Sequence, residues 1–439
     1  MGGYRKFMEY VTLSVLGTLG VSCYILADTF FIANGLGADG LTALNLAIPA
    51  YNFIYGSAVM LGVGGATRFS ILRETGSRKA RDSVFMHTLG MGSLFALGFV
   101  LLGLFGAEGL ARLLGADADM LEMTSTYLRV LLLFSPAFIL NNILLCFVRC
   151  DGSPGLAMAG MLLGSFANIL MDYILIFPMG LGMLGAVLAT GIAPIVSMLA
   201  MSPHWFRRKN TFGLCYCPME GRLCGRLLSL GLPSLIDQLA GAVVMIAFNL
   251  LILRLEGNVG VAAYGVVANL AIVITSLFTG VAQGVQPLIS EAFGRADRQE
   301  AGRQRRYAIV TVLALAFVLY GCTTGFAHPL TSLFNESGDS TLQEIAVRGL
   351  RLYFISNPFL AFNIVLGIWF TSIEHPRPAQ VLSLLRGCFL ILPMAFGLAH
   401  VFGMTGVWLA FPATEGLASL LGLWYMGRER TCKPQETLL

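Results

Sequence analysis

About twelve apolar stretches of membrane-spanning length take up almost the whole chain, near residues 10–34, 41–71, 84–106, 126–148, 156–178, 185–206, 227–255, 260–290, 307–328, 347–372, 379–401 and 404–426. A run of roughly 20 apolar residues is long enough to cross the hydrocarbon core. In lipid it must be a helix, because every backbone N–H and C=O needs a partner within its own segment. The pattern excludes a soluble globular fold and predicts an all-α polytopic membrane protein. Composition agrees, since only 12% of residues are charged, against roughly 25% in a soluble domain.

Lysine and arginine set the expected orientation. Arg5 and Lys6 precede the first stretch. Basic residues then follow each even-numbered one: Arg73, Arg78, Lys79 and Arg81; Arg149; Arg207, Arg208, Lys209, Arg222 and Arg226; Arg295, Arg298, Arg303, Arg305 and Arg306; Arg377; and Arg428, Arg430 and Lys433. The alternate loops carry Asp39, Glu108, Asp117, Asp119, Glu122, Glu336, Asp339 and Glu344. The positive-inside rule therefore places both termini in the cytoplasm of a multi-pass cell-membrane protein. The net charge of +4 is a topology signal and leaves no nucleic-acid footprint. A cleaved signal peptide is not expected, because the first run is too long and contains Asp28.

The chain is also a tandem repeat. A shift of about 220 residues lays Gly40-Leu41-Thr42-Ala43 on Gly260-Val261-Ala262-Ala263, Gly64 on Gly284 and Ser70 on Ser290. A shift of about 222 lays Pro136 on Pro358, Asn141 on Asn363 and Pro154 on Pro376, and one of about 221 lays Gly182-Met183-Leu184-Gly185 on Gly403-Met404-Thr405-Gly406. An offset this constant across several spans marks a duplicated unit. Six spans per unit give both halves the same orientation, related by a pseudo-twofold axis along the membrane normal, with substrate sites between them. The expected organisation is a six-helix bundle over 1–206, a cytoplasmic linker over 207–226, a second bundle over 227–426 and a cytoplasmic tail over 427–439.

Asp28, Asp172, Asp237 and Glu415 interrupt these apolar runs. A carboxyl group near a bilayer centre costs roughly 2.5–3.5 kcal/mol on insertion scales and is kept mainly where it binds or relays something. Asp172 lies four residues after Asn168, which stacks carboxylate and amide on one helix face. Two such ligands facing a protein interior make a cation or proton site; a purely bracing role for Asp172 through Asn168 is the alternative.

Several segments, in order and in corresponding spans, resemble the multidrug and toxic compound extrusion (MATE) transporters. They are Ala27-Asp28-Thr29-Phe30-Phe31-Ile32, Ala167-Asn168 through Asp172, Gly185-Ala186-Val187-Leu188-Ala189-Thr190, Gly231-Leu232-Pro233-Ser234 and Gly284-Val285-Gln286-Pro287-Leu288-Ile289-Ser290. The resemblance implies two six-helix bundles forming a V-shaped cavity that opens alternately to either side. It further implies a secondary antiporter and not an enzyme, working as a monomer without a cofactor, that exports amphipathic, often cationic, organic molecules in exchange for H+ or Na+. The likeness is closer to the DinF-like branch, whose cation site maps onto Asp28, Asn168, Asp172 and Thr190. Span ten has Asn357 and Asn363 but no Asp, which argues against a sodium site of the NorM-like kind.

Physics supports that mapping separately. Two acids in a poorly solvated bundle readily hold one proton between them, because both cannot comfortably ionise. Neutral oxygens from Asn168 and Thr190 would equally suit Na+, so the residues leave the ion open. The site is not duplicated, since Phe248 stands at the counterpart of Asp28 and span eleven offers no acid. Asp237 reads as a cavity acid attracting cationic substrate, or as a helix brace. Glu415 either lines the cavity or pairs with Asp237 or Arg386, and Arg386 is expected to snorkel to the interface. Tyr51, Tyr55, Met60, Phe138, Met161, Tyr264, Phe278 and Gln283 complete the expected cavity lining, where ring faces attract lipophilic cations and methionine adapts to varied shapes.

The remaining features read as bland. The nine cysteines do not suggest a disulfide framework, and zinc at Cys215, Cys217 and Cys224 would need a fourth ligand. The histidines His87, His204, His328, His375 and His400 lack metal-ligand spacing. Asn335-Glu336-Ser337 matches a glycosylation sequon. Two other functions fit less well. A lipid-linked saccharide flippase needs a strongly basic cavity, and an intramembrane aspartyl protease using Asp28 and Asp172 leaves the repeat unexplained.

Overall fold

The structure is a computed structural model that describes residues 2–335 and 339–431. Glu336 and Ser337 of the sequon, Lys433, the side chain of Arg430 and most of the expected tail lie outside the described residues. Among the described residues every regular element is helical.

The first half comprises α1 (Gly2–Thr75), α2 (Arg78–Phe105), α3 (Ala107–Leu113), α4 (Leu121–Leu133), α5 (Ser135–Cys150), α6 (Pro154–Ile176), α7 (Gly182–Met201) and α8 (Pro203–Phe206). The second comprises α9 (Gly221–Gly294), α10 (Arg298–Gly325), α11 (Ala327–Ser332), α12 (Ser340–Tyr353), α13 (Asn357–Ser372), α14 (Pro376–Leu384), α15 (Ile391–Phe402) and α16 (Met404–Thr431). The duplication is visible element by element: α1 and α9 each have 74 residues, α2 and α10 each have 28, and α5 and α13 each have 16.

The 74-residue helices are hairpins. Gly37 (φ 66°, ψ −151°) and Gly257 (φ 64°, ψ −154°) take nearly identical conformations outside the helical region, which a side chain would disfavour. The chain reverses at each, because the Tyr24 and Tyr51 hydroxyls meet at 3.1 Å and the Phe248 and Tyr264 rings lie 5.7 Å apart. Where loops were expected between spans one and two, and seven and eight, a single glycine suffices. Nine helical segments are long and apolar enough to cross a membrane among the described residues, and α4 with α5, bent by 46°, forms a tenth. Counting both arms of each hairpin gives the twelve crossings expected. The α4–α5 bend falls at Ser135-Pro136, where proline has no N–H to continue the helix.

Contacts between the halves cluster at the end where the basic residues lie. A Cβ on Gly231 would sit 1.8 Å from the Met60 carbonyl oxygen, and one on Gly64 2.1 Å from that of Leu227, so these backbones touch directly. Around them, Glu291 accepts from Lys6 Nζ and Arg73 Nη1, both at 2.8 Å. Glu374 accepts from Arg68 Nη1 at 3.0 Å and also from Arg226. Gln286 Nε2 donates to Thr67 Oγ1 at 2.8 Å.

The connector between the halves is clamped to the first. Fully buried Phe212 packs among Phe69, Phe85 and Phe147, with centroids 4.6–5.4 Å away. Asp151 accepts from the Thr211 backbone N–H at 2.8 Å, and His204 Nε2 lies 2.9 Å from the same carboxylate. The Glu220 N–H donates to His87 Nε2 at 2.8 Å. Helix α9 then starts at Gly221, six residues inside the expected linker.

Candidate functional site

Helices α1 and α6 run side by side in the first half. Gly20 of α1 packs on Leu162 and Ser165, and Gly35 packs on Ile176 and Phe177. These contacts bracket Asp28 and bring it level with Asn168 and Asp172. Its carboxyl group faces that of Asp172. Asn168 and Asp172 are fully buried, and Asp28 and Thr190 are 9% and 5% exposed. Thr190, on α7, donates its hydroxyl proton to the Ala186 carbonyl at 3.1 Å, so its oxygen lone pairs remain available. Apart from each other's carboxyl, Asp28 Oδ1 and both side-chain oxygens of Asp172 lack hydrogen-bond partners, and the side-chain oxygen and nitrogen of Asn168 lack any.

A buried polar atom without a partner carries its full desolvation cost, and five atoms with none outside the acid pair concentrate here. Two carboxylates, an amide oxygen and a hydroxyl form an all-oxygen set that fits a proton or a hard cation. The residues therefore suit either coupling ion.

A tyrosine wall adjoins the acids. Tyr24 and Tyr51 are hydrogen-bonded and both lie near Asp28. Tyr51 stacks on Tyr55 at 5.9 Å and meets Phe138 edge-on, also at 5.9 Å. Tyr127 reaches Thr190 and lies near both Asp28 and Asp172. Sequence reasoning did not single out Tyr24 or Tyr127. Tyr24 had a signal, lying one turn before Asp28 on the same face; Tyr127 had none.

Other expected lining residues are packed elsewhere. Met60 is 3% exposed at the inter-half contact, and Met161 packs on Gly17. Tyr264 and Phe278 are 6% and 0% exposed in the core of the second half. Methionine and aromatic side chains in membrane helices fill space more often than they line cavities, and these four do so. Gln283 stays partly accessible. Phe248, at the position matching Asp28, is fully buried against Tyr264, so an aromatic pair stands where the first half keeps its acid.

The second half holds a different charged group. Arg386 does not snorkel: its side chain is 12% exposed, and its Nε donates to both Glu415 oxygens at 2.9 Å. Asn363 Nδ2 donates to Glu415 Oε2 at 2.7 Å, and the Ser419 hydroxyl donates to Asn363 Oδ1 at 3.1 Å. Arg386 sits in a π-helical turn, Leu385–Phe389, between α14 and α15, a wider turn that interrupts the regular ladder. Glu415 thus belongs to an internal ion pair and is 2% exposed. Asp237 faces Arg386 and Ser383 and is exposed. Removing one member of a buried pair leaves the other uncompensated and costs roughly 3–5 kcal/mol. Arg386→Met is expected to lower the thermal unfolding temperature in detergent by several degrees, with Glu415→Gln added in the same chain recovering much of the loss. An unchanged unfolding temperature for Arg386→Met contradicts this assignment.

The described residues hold no cluster of three His, Cys, Asp or Glu side chains placed to bind a metal.

The MatE family model matches residues 14–174 and again 233–396, one match in each half. The chain is 27% identical to the multidrug export protein MepA of Staphylococcus saprophyticus, over 99% of this chain and 96% of that one. It is 26% identical to the MepA of Staphylococcus aureus, over 97% and 94%. In three dimensions it overlays, with a TM-score of 0.90 and 23% identity, on an outward-facing conformation of a multidrug resistance MATE family transporter of the MOP superfamily, covering 98% of this chain and 96% of that one.

Proposed function

The chain belongs to the MatE family, and from that membership we propose that it is a secondary exporter of amphipathic, often cationic, organic molecules, working by alternating access in exchange for H+ or Na+. The observation that carries the coupling is the buried Asp28–Asn168–Asp172–Thr190 cluster with its unpartnered polar atoms. Its confinement to one half supports kinship with the DinF-like branch, as does Phe248 at the matching position of the other half. The export reading draws on the related multidrug export proteins.

The contacting end carries the basic residues, so the positive-inside rule makes it cytoplasmic, with both termini there. The conformer is then closed to the cytoplasm. The two bundles correspond to 1–206 and 227–426, with 207–220 fastened to the first. Family members work without a cofactor, and we assign the monomer as the working unit. Substrate enters between the halves, past the tyrosine wall on one side and Asp237 on the other. A lipid-linked pyrophosphate is disfavoured there, because the embedded Arg386 is already bound by Glu415.

Ethidium, a fluorescent lipophilic cation, tests the coupling by its binding to the purified protein. If ion and substrate favour opposite states, they compete through a reciprocal coupling free energy. Acidification or added sodium, varied separately, is expected to weaken ethidium binding; indifference to both contradicts the proposal. Asp237→Asn is expected to weaken ethidium about tenfold while leaving a neutral substrate within about twofold, because a cavity charge adds attraction for cations alone. Equal weakening of both removes Asp237 from that role.

A further inference from the structure

The sequence patterns along α10 in an unused way. Arg303, Arg306, Val310 and Phe317 recur at intervals of three, four and seven, which places them on one helix face. All four are exposed, Val310 and Phe317 at 62% each. In a membrane protein the apolar part of such a face meets lipid tails, and the two arginines stand directly above it. From Arg306 to Phe317 the helix rises about 16 Å, close to the thickness of one hydrocarbon leaflet.

The basic end of this face is concave. Arg298, Arg303, Arg305 and Arg306 line a groove with Val310 of the same helix and Met426 of α16. The Arg305 guanidinium lies 4.3 Å from the Trp369 ring centroid, which fixes one edge of the groove. Glu300 pairs with Arg303 at 3.3 Å, and Arg298 and Arg306 add positive charge beside that pair. On α16 the half-exposed Trp424 carries the Arg428 guanidinium 4.1 Å above its ring. Tryptophan with arginine marks the headgroup level of a bilayer.

We propose that this groove binds an anionic glycerophospholipid of the leaflet at the basic end. Its phosphate is held by Arg298, Arg303 and Arg306, and one acyl chain lies along Val310 and Phe317. Charge complementarity selects an anionic headgroup over a zwitterionic one. The apolar stripe continuing from the arginines selects a lipid over a soluble phosphate. The site is separate from the acid cluster and from the cavity between the halves, and it does not depend on which ion or substrate the protein transports.

Native mass spectrometry of the purified, detergent-solubilised protein tests it, after incubation with equal amounts of phosphatidylglycerol and phosphatidylcholine of matched chains. Each basic residue near a surface contributes roughly fivefold to anionic-lipid affinity. Wild type is expected to retain phosphatidylglycerol at least tenfold over phosphatidylcholine. Arg303→Ala with Arg306→Ala removes the preference, and Arg303→Lys with Arg306→Lys keeps most of it. Both positions are exposed, and a thermal unfolding measurement confirms that the variants fold. Millimolar glycerol 3-phosphate should fail to displace the lipid. Equal retention of the two lipids by wild type overturns the proposal, as does an undiminished preference in the alanine variant. Displacement by glycerol 3-phosphate assigns the groove to soluble phosphates and overturns it equally.

Discussion

Asp28→Asn and Asp172→Asn are each expected to abolish gradient-driven export while leaving expression and folding intact. The two carboxyls face each other in the interior of the first half, and Asp172 has no hydrogen-bond partner besides Asp28. An ion drives a conformational change only through its differential affinity for the two states. Converting either acid to an amide removes a titratable, cation-binding oxygen pair but keeps shape and polarity, and an amide is cheaper to bury than a carboxylate. Loss of uphill transport by at least a hundredfold should therefore accompany wild-type unfolding temperatures and near-wild-type ethidium binding at a single pH. The check is uphill transport by reconstituted variants together with their thermal stability. Variants that are inactive only because they fail to fold would reduce the acids to helix braces.

The second large effect is steric. Gly231→Val is expected to hold the basic end apart and to lower transport by tenfold or more. A Cβ on Gly231 would lie 1.8 Å from the Met60 carbonyl oxygen across the junction of the halves. Overpacking costs about 1–3 kcal/mol where side chains can give way, and here the opposing atom is backbone. Each 1.4 kcal/mol shifts the equilibrium between open and closed tenfold. Gly241→Val in the same helix is the control, because a Cβ there meets nothing within 4 Å. Spin labels at residues 78 and 299, on opposite halves of the basic end, should report a longer distance in Gly231→Val and an unchanged one in Gly241→Val. Unchanged distances in both contradict direct backbone contact as the closing element.

Much of the fold was legible because membrane helices announce themselves by length and apolarity, and a repeat by its constant offset. The hairpin turns were less so. One glycine reverses the chain at Gly37 and at Gly257, and the surrounding residues carry no turn signal that distinguishes this from a short loop. Asp28 and Asp172 were legible because a carboxyl in an apolar run is an anomaly with a cost. Tyr127 was not, because a tyrosine in a span looks like filler until tertiary structure brings it to Thr190. Counting residues put Arg386 close to the interface, but a π-helical turn has no sequence signature, and Glu415 drew the guanidinium inward. The grip of Asp151 on Thr211 and His204 spans more than fifty residues of sequence, beyond the reach of local pattern.

Transport by wild-type protein in proteoliposomes, with proton and sodium gradients imposed one at a time, tests the central claim most directly. The buried cluster of Asp28, Asn168, Asp172 and Thr190 is the coupling site in this account, so a gradient of one ion must drive ethidium uphill against its own concentration difference. Dissipating that gradient with an ionophore must stop it, and the Asp172→Asn variant must show neither effect. Uphill ethidium movement that ignores both gradients, or that persists in Asp172→Asn, would contradict it.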